Sequence, residues 1–493
     1  MRIPLFLCLL LAPLALIQGQ NIVDAQAATK LSVVRVNVTN QPHDFVRPWG
    51  KRPPFVRRGI GAVLPNQRVL VTSELVANSN YIEFEAGDSG QKMPAIVEVV
   101  DYEANLALLK PEDPAFLKGY SPLELTVATV GDTLGVWQLE ANGNLLVTRG
   151  PMTSAEVTRY SIDDSSFLVY RMTASLQFRD SSFVLPVVKE DKLVGLVMRY
   201  DAQSNNADIV PTPVIEHFLR DAAQMPYQGF PRAGMSFSGT RDPQLRRFMG
   251  LPETAVGGVY ITEVSKNSPS AKAGLEEGDV LLRIDDQPVD QDGNYADPVY
   301  GKIAVGHLLS VRHNVGDTVK FTIFRKGETK DLPVELARRP LESYVSEPYV
   351  IDRAPKFYIL GGLVLQELSR QYLKEWGNDW QRKAPDELVY LDRAQEELFP
   401  EGGRKIVFLG RVLPSDATVG YEGLDHLIVT EINDVPLRSL ADVPGALEKA
   451  QDGTHKIEFS SDPTVIYLNA QQVATSEEIL AKTYRLPTLK RLE

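Results

Sequence analysis

Residues 268–289, SPSAKAGLEEGDVLLRIDDQPV, decide how this chain is read. Small residues form a short helix, Ala273-Gly274-Leu275 makes a turn, and Gly278-Asp279 leads into the apolar run from Val280. Asp285-Asp286 then reads as a tight turn, because short acidic side chains bond their own backbone and tolerate a left-handed conformation. Pro288-Val289 is the exit. The pattern returns in residues 428–437, where Ile432-Asn433-Asp434-Val435-Pro436-Leu437 aligns without a gap to residues 284–289. Two strands, each with a tight Asp/Asn turn and a proline exit, mark an internal duplication. Duplication says nothing by itself about function.

Outside this repeat the chain is too long, at 493 residues, for one core. Its 43% hydrophobic and 24% charged residues are ordinary for a globular protein. A net charge of −12 argues against sequence-independent binding to nucleic acid or anionic membrane, both of which need a positive field. Arg2 followed by the apolar run 3–17 reads as a signal peptide with small-residue exits at Gly19 and at Ala25-Gln26-Ala27. The single cysteine, Cys8, lies inside it, so the mature chain has no thiol, which suits an oxidising compartment.

Short β-branched and apolar runs fill residues 31–209, at 33–38, 95–100, 106–109, 145–148, 167–172, 184–188 and 193–198. Many short strands at this spacing suggest a barrel or sandwich. A helix at 212–222, opened by Pro213, precedes the Pro/Gly stretch 225–234. A second unit, 229–340, and a third, 356–493, follow; in the third, 357–365 reads as one strand.

The 268–289 segment strongly resembles the core of bacterial-type PDZ domains. With residues 105–110 (NLALLK), 186–197 (PVVKEDKLVGLV) and 210–219 (VPTPVIEHFL), the whole chain resembles the HtrA/Deg family of trypsin-like serine proteases, in its plant-type branch with two PDZ modules. The resemblance implies a mainly β, multidomain chain: signal peptide 1–27, trypsin-like double β-barrel 28–224, and two α+β PDZ domains at 229–340 and 356–493. It also implies a homo-oligomer, exported to a periplasmic or extracellular place. Gly234, Met235, Ser236 and Phe237 then match the loop and strand that receive a peptide's terminal carboxylate, and Val305, Leu308 and Leu309 the helix opposite. Binding there would proceed by strand addition, with C-termini or unfolded segments as partners.

Residues 69–78 (VLVTSELVAN) resemble the family's histidine corner, but Glu74 stands at the histidine. Asn105 stands at the aspartate. Anchoring on Pro186 puts Phe183 at the serine; sliding by one or two residues puts Ser182 or Ser181 there. The flanking glycines, which let backbone N–H groups turn inward, are replaced as well. Without an imidazole the proton of an attacking hydroxyl has no ordinary acceptor, and Glu74 is read as a solvated corner residue. These residues lead to the expectation of a pseudoprotease, no enzyme, that holds peptides as scaffold, chaperone-like holder or regulator. An active endopeptidase with a non-standard site and a structural envelope component are the alternatives. No metal-binding, nucleotide or dinucleotide motif is present, so no metal or cofactor is expected.

Overall fold

The computed structural model describes residues 32–493 except 88, 141, 163–164, 178–182 and 253. The signal-peptide reading of residues 1–27 therefore lies outside the described residues.

Two closed barrels come first. Strands β1 (Val33–Asn40), β2 (Phe55–Leu64), β3 (Arg68–Val71), β4 (Ser79–Glu85), β5 (Lys92–Asp101) and β6 (Leu106–Pro111) close in the order β1-β2-β3-β6-β5-β4. Strands β7 (Thr133–Leu139), β8 (Leu145–Arg159), β9 (Ser166–Thr173), β10 (Leu185–Lys189), β11 (Lys192–Asp201) and β12 (Asn206–Pro211) close in the order β10-β11-β12-β9-β8-β7. Alternation drives closure: Val34, Val36 and Val38 of β1 are fully inside while Arg35, Asn37 and Thr39 stay half-buried. Strand β8 runs far beyond the 145–148 expected. Its first half pairs with β7 and its second, from Met152, with β9. Gly150 sits at the changeover, where a Cβ would lie 1.9 Å from the Thr173 carbonyl oxygen. The helix Thr212–Ala222 forms where expected and buries Val214, Ile215, His217 and Phe218.

The second unit is a sheet of β13 (Met235–Ser238), β14 (Val259–Val264), β15 (Val280–Ile284), β16 (Gln287–Pro288), β19 (Thr318–Arg325) and β20 (Glu328–Glu335), in the order β13-β14-β15-β19-β20 with β16 paired to β15. A separate hairpin, β17 (Asn294–Asp297) with β18 (Gly301–Ala304), leads into the helix Val305–Ser310.

The third unit contains β21 (Phe357–Leu360), β22 (Leu363–Glu367), β23 (Val407–Val412), β24 (Leu427–Ile432), β25 (Val435–Pro436), β26 (Thr454–Phe459), β27 (Val465–Asn469) and β28 (Lys490–Arg491). Their order is β27-β26-β24-β23-β22-β21-β28, with β25 paired to β24. Residues 357–365 are thus not one strand but a hairpin, broken where Gly361 and Gly362 take φ of 59° and 123°. Those values favour glycine.

The repeat holds atom for atom. Asp285 N donates to Lys320 O (2.7 Å) while Lys320 N donates to Asp285 Oδ1 (2.7 Å). Asn433 and Lys456 make the same reciprocal pair at 2.9 Å each. Asp285 and Asn433 share φ near +50°, and the Val289 and Leu437 amides donate back to Leu282 O and Thr430 O, each at 2.9 Å.

Both units dock on the barrels. Asp101 and Glu103, in the turn after β5, face Arg232 and Arg338 from the two ends of the second unit: Arg232 Nη2 lies 2.8 Å from Glu103, and Arg338 Nη2 3.7 and 3.6 Å from Asp101 and Glu103. Tyr227 Oη donates to Asp101 (2.8 Å). The Tyr170 and Tyr300 hydroxyls meet across the same seam. The third unit receives the loop between β1 and β2: Phe45 enters its aromatic cluster, and Trp49 meets Phe357 edge-on at 6.4 Å.

Candidate functional site

Strand β3 delivers the chain to a single helical turn, Ser73–Val76, whose Ser73, Leu75 and Val76 are buried. Asn105, fully buried before β6, takes φ of +54°, a conformation asparagine accepts more readily than most residues. Its Oδ1 accepts from the Ser73 hydroxyl (3.1 Å) and the Glu74 amide (3.2 Å). Its Nδ2 is buried with no partner among the described residues. An aspartate here would accept the same two bonds and leave no orphan donor, which costs about 1–3 kcal/mol when buried.

Glu74 is half-buried, not the solvated residue expected. Arg57 of β2 explains this, since its Nη1 donates to the Glu74 carbonyl at 2.6 Å. The same guanidinium lies 4.6 Å from the Phe183 ring centre and 5.2 Å from that of Phe55. Burial lowers the Arg57 pKa, opposed in part by the Glu74 charge. Phe183 runs beside β2, its amide bonded to Arg58 O (3.1 Å), and the next residue accepts from Ile60 N (2.8 Å). The structure therefore brings Glu74 and Asn105 into contact and links Phe183 to Glu74 through Arg57. Sequence reasoning missed Arg57; its place between Phe55 and a distant aromatic depends on strand pairing. Ser181 and Ser182 lie outside the described residues.

In the second unit, Gly234 takes φ of +76°, and a Cβ there would come 2.3 Å from Ser268 Cβ. Met235, Ser236 and Phe237 belong to β13, which pairs with β14 and has no strand on its other side among the described residues. Phe237 is 36% exposed and covers Gly293. Val305, Leu308 and Leu309 are buried on a helix that packs against β9 and β18. His307, on that helix, is fully buried, and neither ring nitrogen has a hydrogen-bond partner among the described residues. Burial, then the Arg312 charge, lowers its pKa to about 4, opposed by Asp297. Glu431, Asp434 and Glu458 could converge on a cation, but Lys456 Nζ already bridges Asp434 (2.9 Å) and Glu458 (3.1 Å).

Two family models, each described as a PDZ domain, match residues 231–336 and 347–490. Protease Do-like 2, chloroplastic, of Arabidopsis thaliana is 28% identical over 471 residues, covering 93% of this chain and 74% of that protein. Protease Do-like 4, mitochondrial, of the same plant is 24% identical over 464 residues, covering 93% and 84%.

Along nearly its whole length this chain is similar to HtrA/Deg proteases, and it carries two PDZ domains.

Its solved neighbours include an HtrA-type protease AlgW with decapeptide, at 19% identity and a TM-score of 0.47 over 63% of this chain and 96% of that one. The HtrA/Deg architecture, a trypsin-like double barrel followed by two PDZ domains, is the one expected. The expectation of a chain that is no enzyme is overturned. Relatives matched along 93% of this chain are proteases by name, and altered residues at 74, 105 and 183 do not by themselves establish inactivity. No helix among the described residues is long and apolar enough to cross a membrane.

Proposed function

We propose that this chain captures polypeptides through its first PDZ module and hydrolyses them as a serine endopeptidase with a non-standard site. The observation that supports this reading best is the corner itself, where Asn105 Oδ1 still receives the Glu74 amide and the Ser73 hydroxyl. The hydroxyl of Ser182 or Ser181 attacks the scissile carbonyl, its proton passes to the Glu74 carboxylate, and the departing amine takes that proton. Water then hydrolyses the acyl-enzyme. A carboxylate is a weaker base than imidazole at neutral pH, so turnover is slow. The open edge of β13 supports strand addition along Gly234, Met235, Ser236 and Phe237, with the helix that carries Val305, Leu308 and Leu309 as the opposing wall.

Casein hydrolysis and fluorophosphonate labelling test this. Wild-type turnover abolished by Ser181→Ala or Ser182→Ala, reduced by Glu74→Gln and raised by Glu74→His with Asn105→Asp is the expected result. Turnover that survives loss of both serines, or none above the blank, overturns it. Export belongs to the same proposal and is tested by N-terminal sequencing of the mature chain. So does homo-oligomer formation, which the exposed Val56 and Tyr81 flanking Thr39 support and light scattering measures.

A further inference from the structure

We propose that the second PDZ module carries a separate site for an organic carboxylate bearing a ring. The site is a cavity of about 540 Å³ beside β23, closed on one side by Val46 from the barrel loop. That volume falls in the range of small-ligand sites.

Strand β23 pairs with β22 as far as Val412, but with β24 only at Phe408 and Leu409. From Gly410 onward its β24 side gives onto the cavity rather than onto a strand. Three rings stand around the opening. Trp376 lies 5.4 Å from both Tyr372 and His426, and Tyr372 lies 6.4 Å from His426, with interplanar angles of 68°, 63° and 51°. At these distances the rings pack edge to face on one another and form one aromatic wall, with Tyr372 buried in it and Trp376 and His426 half-buried.

The charges decide between a cationic and an anionic occupant. Two acids and one guanidinium line the cavity. Both acids are exposed and each has a partner: Glu422 accepts the Gly420 amide (2.9 Å), and Asp425 lies 3.1 Å from His426 Nδ1. Arg411 is half-buried and, among the described residues, has no ion pair, hydrogen bond or ring partner. Burial raises the Tyr372 pKa; the Arg411 charge opposes that rise, and the charges of Asp425 and Glu375 add to it. An unpaired guanidinium lining the cavity suits a carboxylate, which it can hold by two parallel bonds. The aromatic wall suits the side chain such a ligand carries. Two sources share this chemistry: the C-terminal residue of a polypeptide ending in an aromatic side chain, and a free aromatic acid.

Calorimetric titration of the full chain tests the site. The probes are N-acetyl-L-phenylalanine, which mimics a chain terminus, indole-3-acetate, and the neutral amide of each. At least one acid binds saturably and its amide at least tenfold more weakly, about 1.4 kcal/mol. Arg411→Ala and Trp376→Ala each cost that acid at least tenfold, and Arg411→Lys restores part of the loss. Tighter binding of the acylated amino acid identifies a polypeptide terminus; tighter binding of indole-3-acetate identifies a free acid. Equal binding of acid and amide, unchanged affinity in folded Arg411→Ala or Trp376→Ala, or no saturable binding of either acid overturns the proposal.

Discussion

Among the described residues, the first PDZ module leaves the outer edge of β13 without a strand, whereas the second covers the matching edge of β22 with β21 and then adds β28 beyond it. The two sheets otherwise run in the same order, β13-β14-β15-β19-β20 against β22-β23-β24-β26-β27. A bare strand edge is a template for an incoming strand, and a covered edge is not. One duplicated unit has therefore yielded a surface that can pair with another chain and one that pairs with itself. The difference rests on a two-glycine turn.

The sharpest way to break the comparison is to break that turn. Gly362 takes φ of +123° and a Cβ there would lie 2.3 Å from Leu413 O. Gly362→Val is expected to cost more than about 4 kcal/mol, seen as loss of the second module's transition in urea unfolding. An unchanged transition would mean that the hairpin does not hold the edge shut.

A second difference lies in the repeat itself. Asp279, with a side chain 1% exposed, holds Arg325 through two bonds of 2.6 Å, and Leu427 stands at the matching place in the second module. Removing one member of a buried pair costs about 3–5 kcal/mol. Asp279→Ala is expected to lose that much in denaturant unfolding of the first module, leaving the second unaffected.

His307 makes the first module's seat on the barrels sensitive to acid. Its folded pKa, about 4, lies below the unfolded value of 6.5, so the unfolded chain binds the proton more readily. The stability involved is whole above pH 6.5 and is lost as pH falls toward 4, at up to about 1.4 kcal/mol per pH unit. Thermal unfolding between pH 7 and 4 should show this slope, and His307→Gln should flatten it.

The smallest expected effect sharpens the contrast directly. Phe237→Ala is expected to weaken an apolar C-terminal peptide about tenfold, roughly 1.4 kcal/mol, by fluorescence anisotropy, while Val364→Ala on β22 leaves the affinity unchanged. Equal losses at both positions would erase the distinction.

The parts legible in the sequence were those with local chemistry. The Asp285 and Asn433 turns need φ near +50°, which few side chains accept, so residue type announced them. The alternation of Val34, Val36 and Val38 and the proline-opened helix Thr212–Ala222 were equally plain. What escaped depended on distant partners. The second half of β8 is polar and interrupted by Gly150-Pro151, and only pairing with β9 makes it a strand. Gly361-Gly362 inside an apolar run is itself a hairpin signal, and the apolar residues around it masked that reading. At the candidate site, Glu74 and Asn105 could be placed from the corner pattern. The Arg57 contact and the buried His307, whose ring nitrogens find no hydrogen bond among the described residues, could not, because each depends on packing between segments far apart in the chain.

Arg232 and Ala337 exchange backbone hydrogen bonds at the neck of the first PDZ module, and the side chains of Arg232 and Arg338 both reach the turn at Asp101 and Glu103. Asn105 follows Glu103 by two residues. The neck is thus pinned by two guanidinium groups to the stretch of chain that leads straight into the corner.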